Sequence, residues 1–438
     1  MKRPALLVLP CLLFVATASA EDWPGWRGPR GDGTSSEKNI PLEWSATKNV
    51  RWKAEIPGIG HSSAIVHGDH VFVTSCIEKK EAGKDAPADR VLLSLDRRNG
   101  KLLWKKSLLS TKLEKRHADN SWASATPATD GTYVYVAFLD YPDMVVVCCD
   151  FDGKEIWRKT PGTLKSVHGF CTSPVLHKDL VILNGDQDDP SAYLVALDKK
   201  TGKEMWRTSR QNPMNPERKP AKGLGIRSYC TPILIHTAKD PKVTQLVLSG
   251  NFMVTGYDAD TGKLLWVNQG PTEQYVASLV YHEDVLCLST GFPEFHIMGF
   301  SPHGHGDISK TKDVVWHIAH DKELRAKNAA YVTSPIAANG LFFVCSDTGM
   351  LSCVEAKTGK RLYMKQLGKH HYCSPVLVED NLLFFDDDGI CWVVKPCPKF
   401  ELVRKNELGE ECFSSPAVSH GELFVRTQHH LWCIGTEK

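Results

Sequence analysis

The sequence has no excess of either charge: Lys and Arg number 53 and Asp and Glu number 51 in 438 residues. Proteins that bind nucleic acid or anionic membrane surfaces through their overall field carry a strong positive excess, so the composition favours neither class. The signatures Gly-x-Ser-x-Gly and His-Glu-x-x-His and a Gly-rich phosphate loop are also missing. The sequence therefore gives no support for the common esterase, metalloprotease and nucleotide-binding classes.

Long apolar runs are missing too, apart from one short run at the start of the chain. Met1-Lys2-Arg3 is followed by a run from Ala5 to Val15 and then by small residues ending at Ala20. This order is typical of a signal peptide cleaved after Ala20, and the run is too short to span a bilayer. We expect residues 1–20 to be removed and the protein to be secreted or periplasmic, with no transmembrane segment.

The cysteines do not form a dense, evenly spaced framework. The chain has 14 of them, and 13 remain after the predicted cleavage because Cys11 lies in the leader. An odd number predicts at least one thiol without a disulfide partner within the chain, and the pairing of the others cannot be read from the sequence.

One phrase recurs along the chain: a strand ending in an acidic residue, a glycine turn and a second strand ending in an aromatic residue. The Asn-Gly, Asp-Gly and Thr-Gly turns supply the positive φ that a tight hairpin needs. The copies are Leu95–Trp104, Cys149–Trp157, Leu197–Trp206, Tyr257–Trp266 and, more loosely, Val354–Tyr363. The aromatic residues that end outer strands, and that we expect to pack between neighbouring units, are Trp52, Trp104, Trp157, Trp206, Trp266, Trp316 and Tyr363.

A second phrase alternates with the first: Ser or Thr before Pro, followed by two short apolar runs separated by a polar turn. Clear copies begin at Thr126, Ser173, Thr231, Ser334, Ser374 and Ser415, and degenerate copies at Ser63 and Ser278. There are thus eight inner hairpins. Eight outer strands can also be counted: the seven that end in an aromatic residue, and Glu401-Leu402-Val403 in the remaining place. That series is shifted, because Val50–Ala54 has no inner hairpin before it and the last hairpin has no outer strand after it.

If the units are arranged in a circle, the unpaired first outer strand lies next to the last hairpin and can complete its unit. The sequence therefore predicts an all-β protein, an eight-bladed β-propeller of four-stranded antiparallel blades, closed by the N-terminal strand completing the last blade. This pairing covers an otherwise open sheet edge. We expect a lead-in segment at residues 21–49 and a single propeller at residues 50–438.

The phrase Ala/Gly-x-Asp-x-x-Thr-Gly-Lys-x-x-Trp resembles the tryptophan-docking repeat of the PQQ-like β-propellers, over about Trp52 to Cys433. That family includes quinoprotein dehydrogenases and the outer-membrane assembly lipoprotein that acts as a scaffold. The segment Asp22–Pro29 is similar to the lead-in of secreted bacterial propellers of this type. The motif is specific for the fold and weak for the activity, because one fold hosts many functions.

For quinoprotein chemistry, the resemblance implies PQQ held against a tryptophan floor and a vicinal disulfide ring, with Ca²⁺ bound nearby. Cys148-Cys149 is a vicinal pair, but it lies within an apolar strand in which successive side chains point to opposite faces. We therefore interpret the two cysteines as small buried residues. No haem-attachment Cys-x-x-Cys-His is present, and we assign neither a cofactor nor a metal.

Ligands of propellers usually sit in the mouth of the central channel, which the loops before the inner strands surround. Aromatic, imidazole and guanidinium groups recur there and could stack on a sugar, a flat cofactor or a peptide, or could fill the funnel as core. The candidate ligand-binding residues are His61, Trp122, His168, Phe170, Arg227, Tyr229, Tyr275, Tyr331, His371, Tyr372 and Phe413.

Two polar segments could in principle bind a metal. His303, His305 and Asp307 offer ligands for a transition metal, and Asn184, Asp186, Asp188 and Asp189 resemble part of a Ca²⁺ loop. A solvated loop and a surface β-turn are the favoured interpretations. Asp386-Asp387-Asp388-Gly389 has the residues of a simple hairpin turn.

These observations predict a non-catalytic extracytoplasmic module, monomeric, that binds a protein, peptide or glycan at the channel mouth and does not bind nucleic acid. A PQQ-dependent oxidoreductase with Ca²⁺ is the alternative. A polysaccharide lyase or hydrolase on the same scaffold is a third possibility.

Overall fold

The alternating phrases fold into eight four-stranded antiparallel blades around a central channel, as predicted. The computed structural model describes residues 20–79, 86–187, 191–214, 217 and 227–436. The predicted signal peptide lies almost entirely outside these ranges. Within them, no helix combines the length and apolarity needed to cross a membrane.

The lead-in segment (residues 21–49) contains β1 (Thr34–Ser35), and β2 (Val50–Glu55) follows it. Blade 1 comprises β3 (Ile65–His67), β4 (His70–Ile77), β5 (Ala88–Asp96) and β6 (Leu102–Thr111). Blade 2 comprises β7 (Ala128–Thr129), β8 (Tyr133–Asp140), β9 (Asp143–Asp150) and β10 (Glu155–Thr163). Blade 3 comprises β11 (Val175–His177), β12 (Leu180–Gly185), β13 (Tyr193–Asp198) and β14 (Glu204–Ser209).

Blade 4, preceded by β15 (Arg227–Ser228), comprises β16 (Ile233–His236), β17 (Thr244–Gly250), β18 (Met253–Asp258) and β19 (Leu264–Gln269). After β20 (Gln274–Tyr275), blade 5 comprises β21 (Val280–His282), β22 (Val285–Gly291), β23 (Phe295–Phe300) and β25 (Val314–Ile318). An insertion before β25 holds β24 (Gly306–Asp307), and a 3-10 turn at Arg325–Lys327 leads to blade 6.

Blade 6 comprises β26 (Ile336–Ala338), β27 (Leu341–Cys345), β28 (Met350–Glu355) and β29 (Arg361–Gln366). Blade 7 comprises β30 (Val376–Val378), β31 (Asn381–Phe385), β32 (Ile390–Val394) and β33 (Leu402–Glu407). Blade 8 comprises β34 (Ala417–Ser419), β35 (Glu422–Arg426) and β36 (His430–Ile434), with β2 as its outer strand.

The predicted ring closure is confirmed. β2 pairs antiparallel with β36, placing Trp52 opposite Cys433 and Ala54 opposite Leu431. Across the same seam, the buried Arg426 of blade 8 donates a hydrogen bond to Ser62 Oγ before blade 1 at 2.8 Å. Arg97 of blade 1 bonds Glu422 of blade 8 at 2.8 Å. Blades 8 and 1 are therefore held together both by a shared chain segment and by buried polar contacts.

The aromatic residues that end the outer strands contact the glycine turn of the next blade. Trp52 donates its indole N–H to the Arg97 carbonyl at 2.7 Å, and a β-carbon added at Gly100 would lie 2.6 Å from the Trp52 ring. Gly100 has φ 73°, so the turn needs glycine both for its backbone and for this close approach. Equivalent contacts join Trp104, Trp157, Trp206 and Trp316 to Gly153, Gly202, Gly262 and Gly359.

Two of the predicted aromatic residues have different surroundings. Fully buried Trp266 donates its indole N–H to Gln245 Oε1 at 2.9 Å, and the insertion strand β24 pairs parallel with β19 beside it. Tyr363 packs edge-on against Phe400, with the ring centroids 5.8 Å apart. Blades 5 and 7 therefore lack the regular glycine turn at this contact. In blade 5 the insertion strand β24 lies beside Trp266, and in blade 7 Phe400 packs against Tyr363.

Candidate ligand-binding cavity

The Ser and Thr residues that begin the inner strands link neighbouring blades at six of the eight junctions. The backbone N–H of Ser63 donates to Thr126 Oγ1 at 3.0 Å, and that of Thr126 donates to Ser173 Oγ at 3.0 Å. The same bond joins Ser173 to Thr231, Ser278 to Ser334, Ser334 to Ser374 and Ser374 to Ser415. Buried N–H groups need such acceptors, and this requirement explains why a hydroxyl residue recurs before the inner strand.

A cavity of about 460 Å³ lies at the mouth of the channel. Six of the predicted ligand-binding residues line it: His61, His168, Tyr229, Tyr331, Tyr372 and Phe413. Hydroxyls of the inner-strand ring complete part of its wall, including those of Ser63, Thr126 and Ser374. The cavity therefore presents aromatic faces and hydroxyl groups together.

The other five predicted residues are not among those that line the cavity. Phe170 and Tyr275 are buried in the apolar core between blades, and His371 is buried with Nε2 bonded to the Leu367 carbonyl at 2.8 Å. Trp122 donates its indole N–H to the Glu114 carbonyl at 2.9 Å, and Arg227 belongs to the short strand β15. Neighbouring rim residues can point in different directions: Tyr372 lines the cavity, whereas His371 beside it is buried. An aromatic residue at the rim therefore does not always face the channel.

The lead-in segment crosses the channel and forms part of the cavity. Trp23 forms two backbone hydrogen bonds of 2.9 Å with Val66 of blade 1. The buried Arg27 then donates to the Pro335 carbonyl of blade 6 at 2.8 Å and to the Pro375 carbonyl of blade 7 at 3.4 Å. Trp26, which lies between these contacts in the sequence, lines the cavity. The lead-in is thus part of the folded propeller, with Trp26 as an inner surface of the cavity.

Residues 112–122, here called the cover loop, reach across the mouth from the end of blade 1. The N–H of His117 donates to the His168 carbonyl at 3.1 Å, and Asn120 Nδ2 donates to the same carbonyl at 2.7 Å. On the other side of the mouth, Tyr372 Oη donates to Asp119 Oδ2 at 2.7 Å. His117, Asp119 and Asn120 all line the cavity.

Carboxylates gather on the side of blades 6 and 7. Asp347 lines the cavity and accepts the N–H groups of Tyr331 and Val332 at 3.2 and 3.0 Å. Burial raises the pKa of its carboxyl to about 6. Asp387, at the matching place in blade 7, accepts the N–H of Tyr372 at 3.1 Å, and burial together with nearby carboxylates raises its pKa to about 7. This wall of the cavity is acidic and partly desolvated.

The imidazoles on the opposite side are held neutral. Burial, followed by the charges of Arg426 and Arg116, lowers the pKa of His61 to about 3, and its ring stacks on Phe413 with centroids 4.8 Å apart. Burial also lowers the pKa of His168, whose Nδ1 lies 3.0 Å from Tyr229 Oη. Neither ring adds positive charge to the cavity at neutral pH.

The vicinal cysteines lie outside the cavity. Cys148 packs into the core between blades 2 and 3 and Cys149 into the core between blades 1 and 2, both as free thiols with no exposed surface. Their interpretation as small buried residues is confirmed. They cannot form the ring against which quinoproteins hold PQQ, and along the described part of the chain no Lys or Arg side chain lines the cavity to meet its carboxylates. Among the described residues, the lining thus offers PQQ neither a disulfide ring nor a cation for its carboxylates.

The predicted surface turn at Asn184 and Asp186 is wrong. Both residues are buried, and Asp186 Oδ2 pairs with Arg210 Nη2 at 3.0 Å, whereas Asp188 and Asp189 lie outside the described residues.

In the blade 5 insertion, His303 bonds Asp284 at 2.9 Å and His305 is exposed. Gly306 and Asp307 form β24, so this segment is not simply a solvated loop. No group of three or more His, Cys, Asp or Glu side chains is placed to bind a metal in the described ranges. The predicted turn at residues 386–389 is confirmed by the bond from Gly389 N–H to the Asp386 carbonyl.

Sequence reasoning missed cavity residues that come from other segments, notably Trp26, Asp119, Phe292 and Asp347. A weak signal existed for two of them. Trp26 belongs to the tryptophan-rich lead-in, and Asp347 occupies the same turn position as Asp387 one blade later. The cover loop offered no recognisable motif.

Comparisons with known proteins agree with this fold. A family model described as outer membrane protein assembly factor BamB matches residues 87–291 and 254–395. The structure is similar to BamB from Moraxella catarrhalis, with a TM-score of 0.55 and 11% identity over 88% of this chain and 98% of that chain. It is also similar to quinohemoprotein alcohol dehydrogenase from Comamonas testosteroni, with a TM-score of 0.66 and 12% identity over 95% of this chain and 81% of that chain.

Among curated proteins, polyvinylalcohol dehydrogenase from Pseudomonas sp is 22% identical over 283 residues, which is 58% of this chain and 41% of the relative. The matched region thus spans about two fifths of that relative's length. A homologous enzyme of the same name from Sphingopyxis sp. (strain 113P3) gives the same identity over 40% of its length. Since the BamB model covers more than two thirds of the sequence and the eight-bladed fold matches, the chain belongs to the PQQ-like β-propeller family.

Proposed function

We propose that this protein is an exported, non-catalytic binding module that takes up a protein segment, a peptide or a glycan at the mouth of its channel. The observation that carries the proposal is the cavity of about 460 Å³, which lies within the size range of small-ligand sites. Aromatic rings, hydroxyls and amides line it together. Such surfaces stack on flat or apolar groups and form hydrogen bonds at their edges.

The hydroxyl groups of the cavity favour binding over nucleophilic catalysis. A catalytic Ser or Thr needs a neighbouring base that takes its proton. The hydroxyls of Thr126, Thr231, Ser374 and Ser415 instead accept backbone N–H groups from the preceding blade, at 2.9–3.0 Å. Their role in the ring of blades explains their presence without a reaction.

The alternative is a PQQ-dependent oxidoreductase, which the names of the polyvinylalcohol dehydrogenase and quinohemoprotein alcohol dehydrogenase relatives favour. PQQ carries three carboxylates, and a site for it should offer cations. Asp119 and Asp347 line this cavity instead. The charge of the site therefore favours the binding module.

Reconstitution separates the two functions. The purified protein is mixed with PQQ and Ca²⁺ and assayed for a bound-quinone absorption band and for dye-linked oxidation of alcohols, sugars and polyvinyl alcohol. We expect neither signal. Stoichiometric PQQ binding with turnover would overturn the binding-module proposal.

Glycan and peptide arrays test the binding itself. We expect signals that Tyr372→Ala abolishes, because Tyr372 lines the cavity, and that Tyr141→Ala leaves intact, because Tyr141 is exposed on the turn between β8 and β9. If no probe binds, or if both variants reduce binding equally, the cavity is not the binding site.

A further inference from the structure

The cavity is enclosed by segments from outside the blades. Trp26 of the lead-in segment lines it, and the cover loop contributes His117, Asp119 and Asn120. Both segments are fixed by hydrogen bonds to the ring, including Arg27 to Pro335 and Tyr372 to Asp119. A ligand in this space loses much of its water, and in such a setting electrostatic contacts are stronger than at an open surface.

The charges that line this space are negative. Asp119 and Asp347 supply carboxylates, and within the described ranges no Lys or Arg side chain joins them in the lining. Arg227 is not itself a lining residue, but it lies beside two residues that are: it hydrogen-bonds Tyr229, and its charge lowers the pKa of His168. Three other arginines near the mouth also have partners within the protein. Arg426 donates to Ser62, Arg27 donates to Pro335, and the guanidinium of Arg116 lies 4.2 Å from the centroid of the Trp122 ring.

The carboxylates cannot easily turn away from the cavity. Asp347 is fixed by two backbone N–H groups, and Asp119 by the hydroxyl of Tyr372. Tyr372 also donates its backbone N–H to Asp387, so carboxylates surround this one aromatic residue. Asp347 and Asp387 are partly buried, whereas Asp119 is 44% exposed. Partial burial of a carboxylate is costly unless a proton or a bound cation balances its charge.

Aromatic rings stand beside these carboxylates. Tyr331 lies against Phe292 and Tyr372 against Phe413, with ring centroids 5.9 and 6.2 Å apart. Trp26 adds an indole, the ring that binds cations best, and the guanidinium carbon of Arg27 already lies 5.8 Å from its centroid. Electron-rich faces next to fixed carboxylates are the surroundings in which proteins bind ammonium groups, whether the primary amine of lysine or a quaternary amine.

We propose that the cavity recognises an organic cation, namely an ammonium group carried by its ligand, through Asp347, Asp119 and the rings of Trp26 and Tyr372. The inference rests on the proposed binding function and names the chemistry of its ligand. An organic cation is favoured over a metal ion, because the described residues include no group of three His, Cys, Asp or Glu side chains placed to bind a metal.

Small probes test the proposal on the full mature protein by isothermal titration and tryptophan fluorescence. The probes are N-acetyl-lysine methylamide and choline, each with a neutral analogue of similar shape: N-acetyl-norleucine methylamide and 3,3-dimethylbutanol. We expect both cations to bind at least about tenfold more tightly than their neutral analogues, a difference of about 1.4 kcal/mol. Equal affinity of cation and analogue would overturn the proposal.

Variants locate the site. Asp347→Asn keeps an oxygen for the Tyr331 and Val332 N–H groups and should weaken cation binding at least about tenfold, because the charged partner is lost. Asp388→Asn removes an exposed carboxylate from the matching turn of blade 7 and should leave the affinity for the cationic probes unchanged. An unchanged affinity in Asp347→Asn would contradict the proposal.

The aromatic contribution has its own control. Trp26→Phe retains a ring and should keep most of the affinity for choline, whereas Trp26→Leu should reduce that affinity several-fold. Thermal unfolding of both variants confirms that they fold. If leucine serves as well as phenylalanine, Trp26 does not contact the cation. If array ligands bind in a Tyr372-dependent way but the ammonium probes do not bind, the cation inference fails and the proposed binding function stands. If neither the array ligands nor the ammonium probes bind, the cation inference and the proposed binding function both fail.

Discussion

Ring closure by β2 can be tested through one side chain, Trp52. Its side chain is 8% exposed, its indole donates a 2.7 Å hydrogen bond to the Arg97 carbonyl, and it packs on Gly100 of the adjacent blade. Trp52→Ala removes this packing and leaves a cavity between blades 8 and 1. Truncation of a buried tryptophan costs about 3–5 kcal/mol, and we expect a loss of unfolding free energy in that range.

The assay is urea denaturation of the mature protein followed by far-ultraviolet circular dichroism. Trp157→Ala serves as an internal reference, because Trp157 is also 8% exposed and bonds the Lys199 carbonyl at 2.8 Å within the continuous chain. Leu103→Ala, at a side chain that is 44% exposed, should cost less than about 0.5 kcal/mol. If Trp52→Ala lowers the free energy of unfolding no more than Leu103→Ala does, while Trp157→Ala lowers it by several kcal/mol, β2 does not hold the ring closed.

Three further predictions follow from the site and its thiols. The raised pKa of Asp387 means that the folded protein holds a proton that the unfolded chain releases near pH 4, so this group lowers stability as pH rises from about 4 to about 7. Asp387→Asn keeps an acceptor for Tyr372 N–H and should show a smaller loss of unfolding free energy between pH 4.5 and 8 than the parent; parallel curves would contradict this. A thiol reagent at pH 8 should modify Cys397 before Cys171, because burial raises the pKa of Cys171 to about 12, and the order can be read by peptide mass spectrometry. Arg27→Met removes the bonds to Pro335 and Pro375 and should speed proteolysis within the lead-in segment, whereas unchanged cleavage would show that these bonds do not anchor it.

The sequence by itself determined the blade number and the way the ring closes. Eight inner hairpins and eight outer strands, counted separately and shifted by one strand, leave β2 without a partner except β36. This information is local, because a hairpin is specified by its turn glycine and by alternating apolar residues within ten positions. The hydroxyl before the inner strand was visible as a repeat, but its acceptor role emerged only when neighbouring blades were side by side.

Only the tertiary structure decided which side chains face the cavity. Of two rim neighbours, Tyr372 points inward and His371 is buried in the wall, although both sit before the same inner strand. Asp347 and Trp26 reach the cavity from a blade turn and from the lead-in segment, hundreds of residues apart. A propeller brings eight loops to one axis, so the composition of its mouth depends on radial packing between blades, which no local pattern in the chain records.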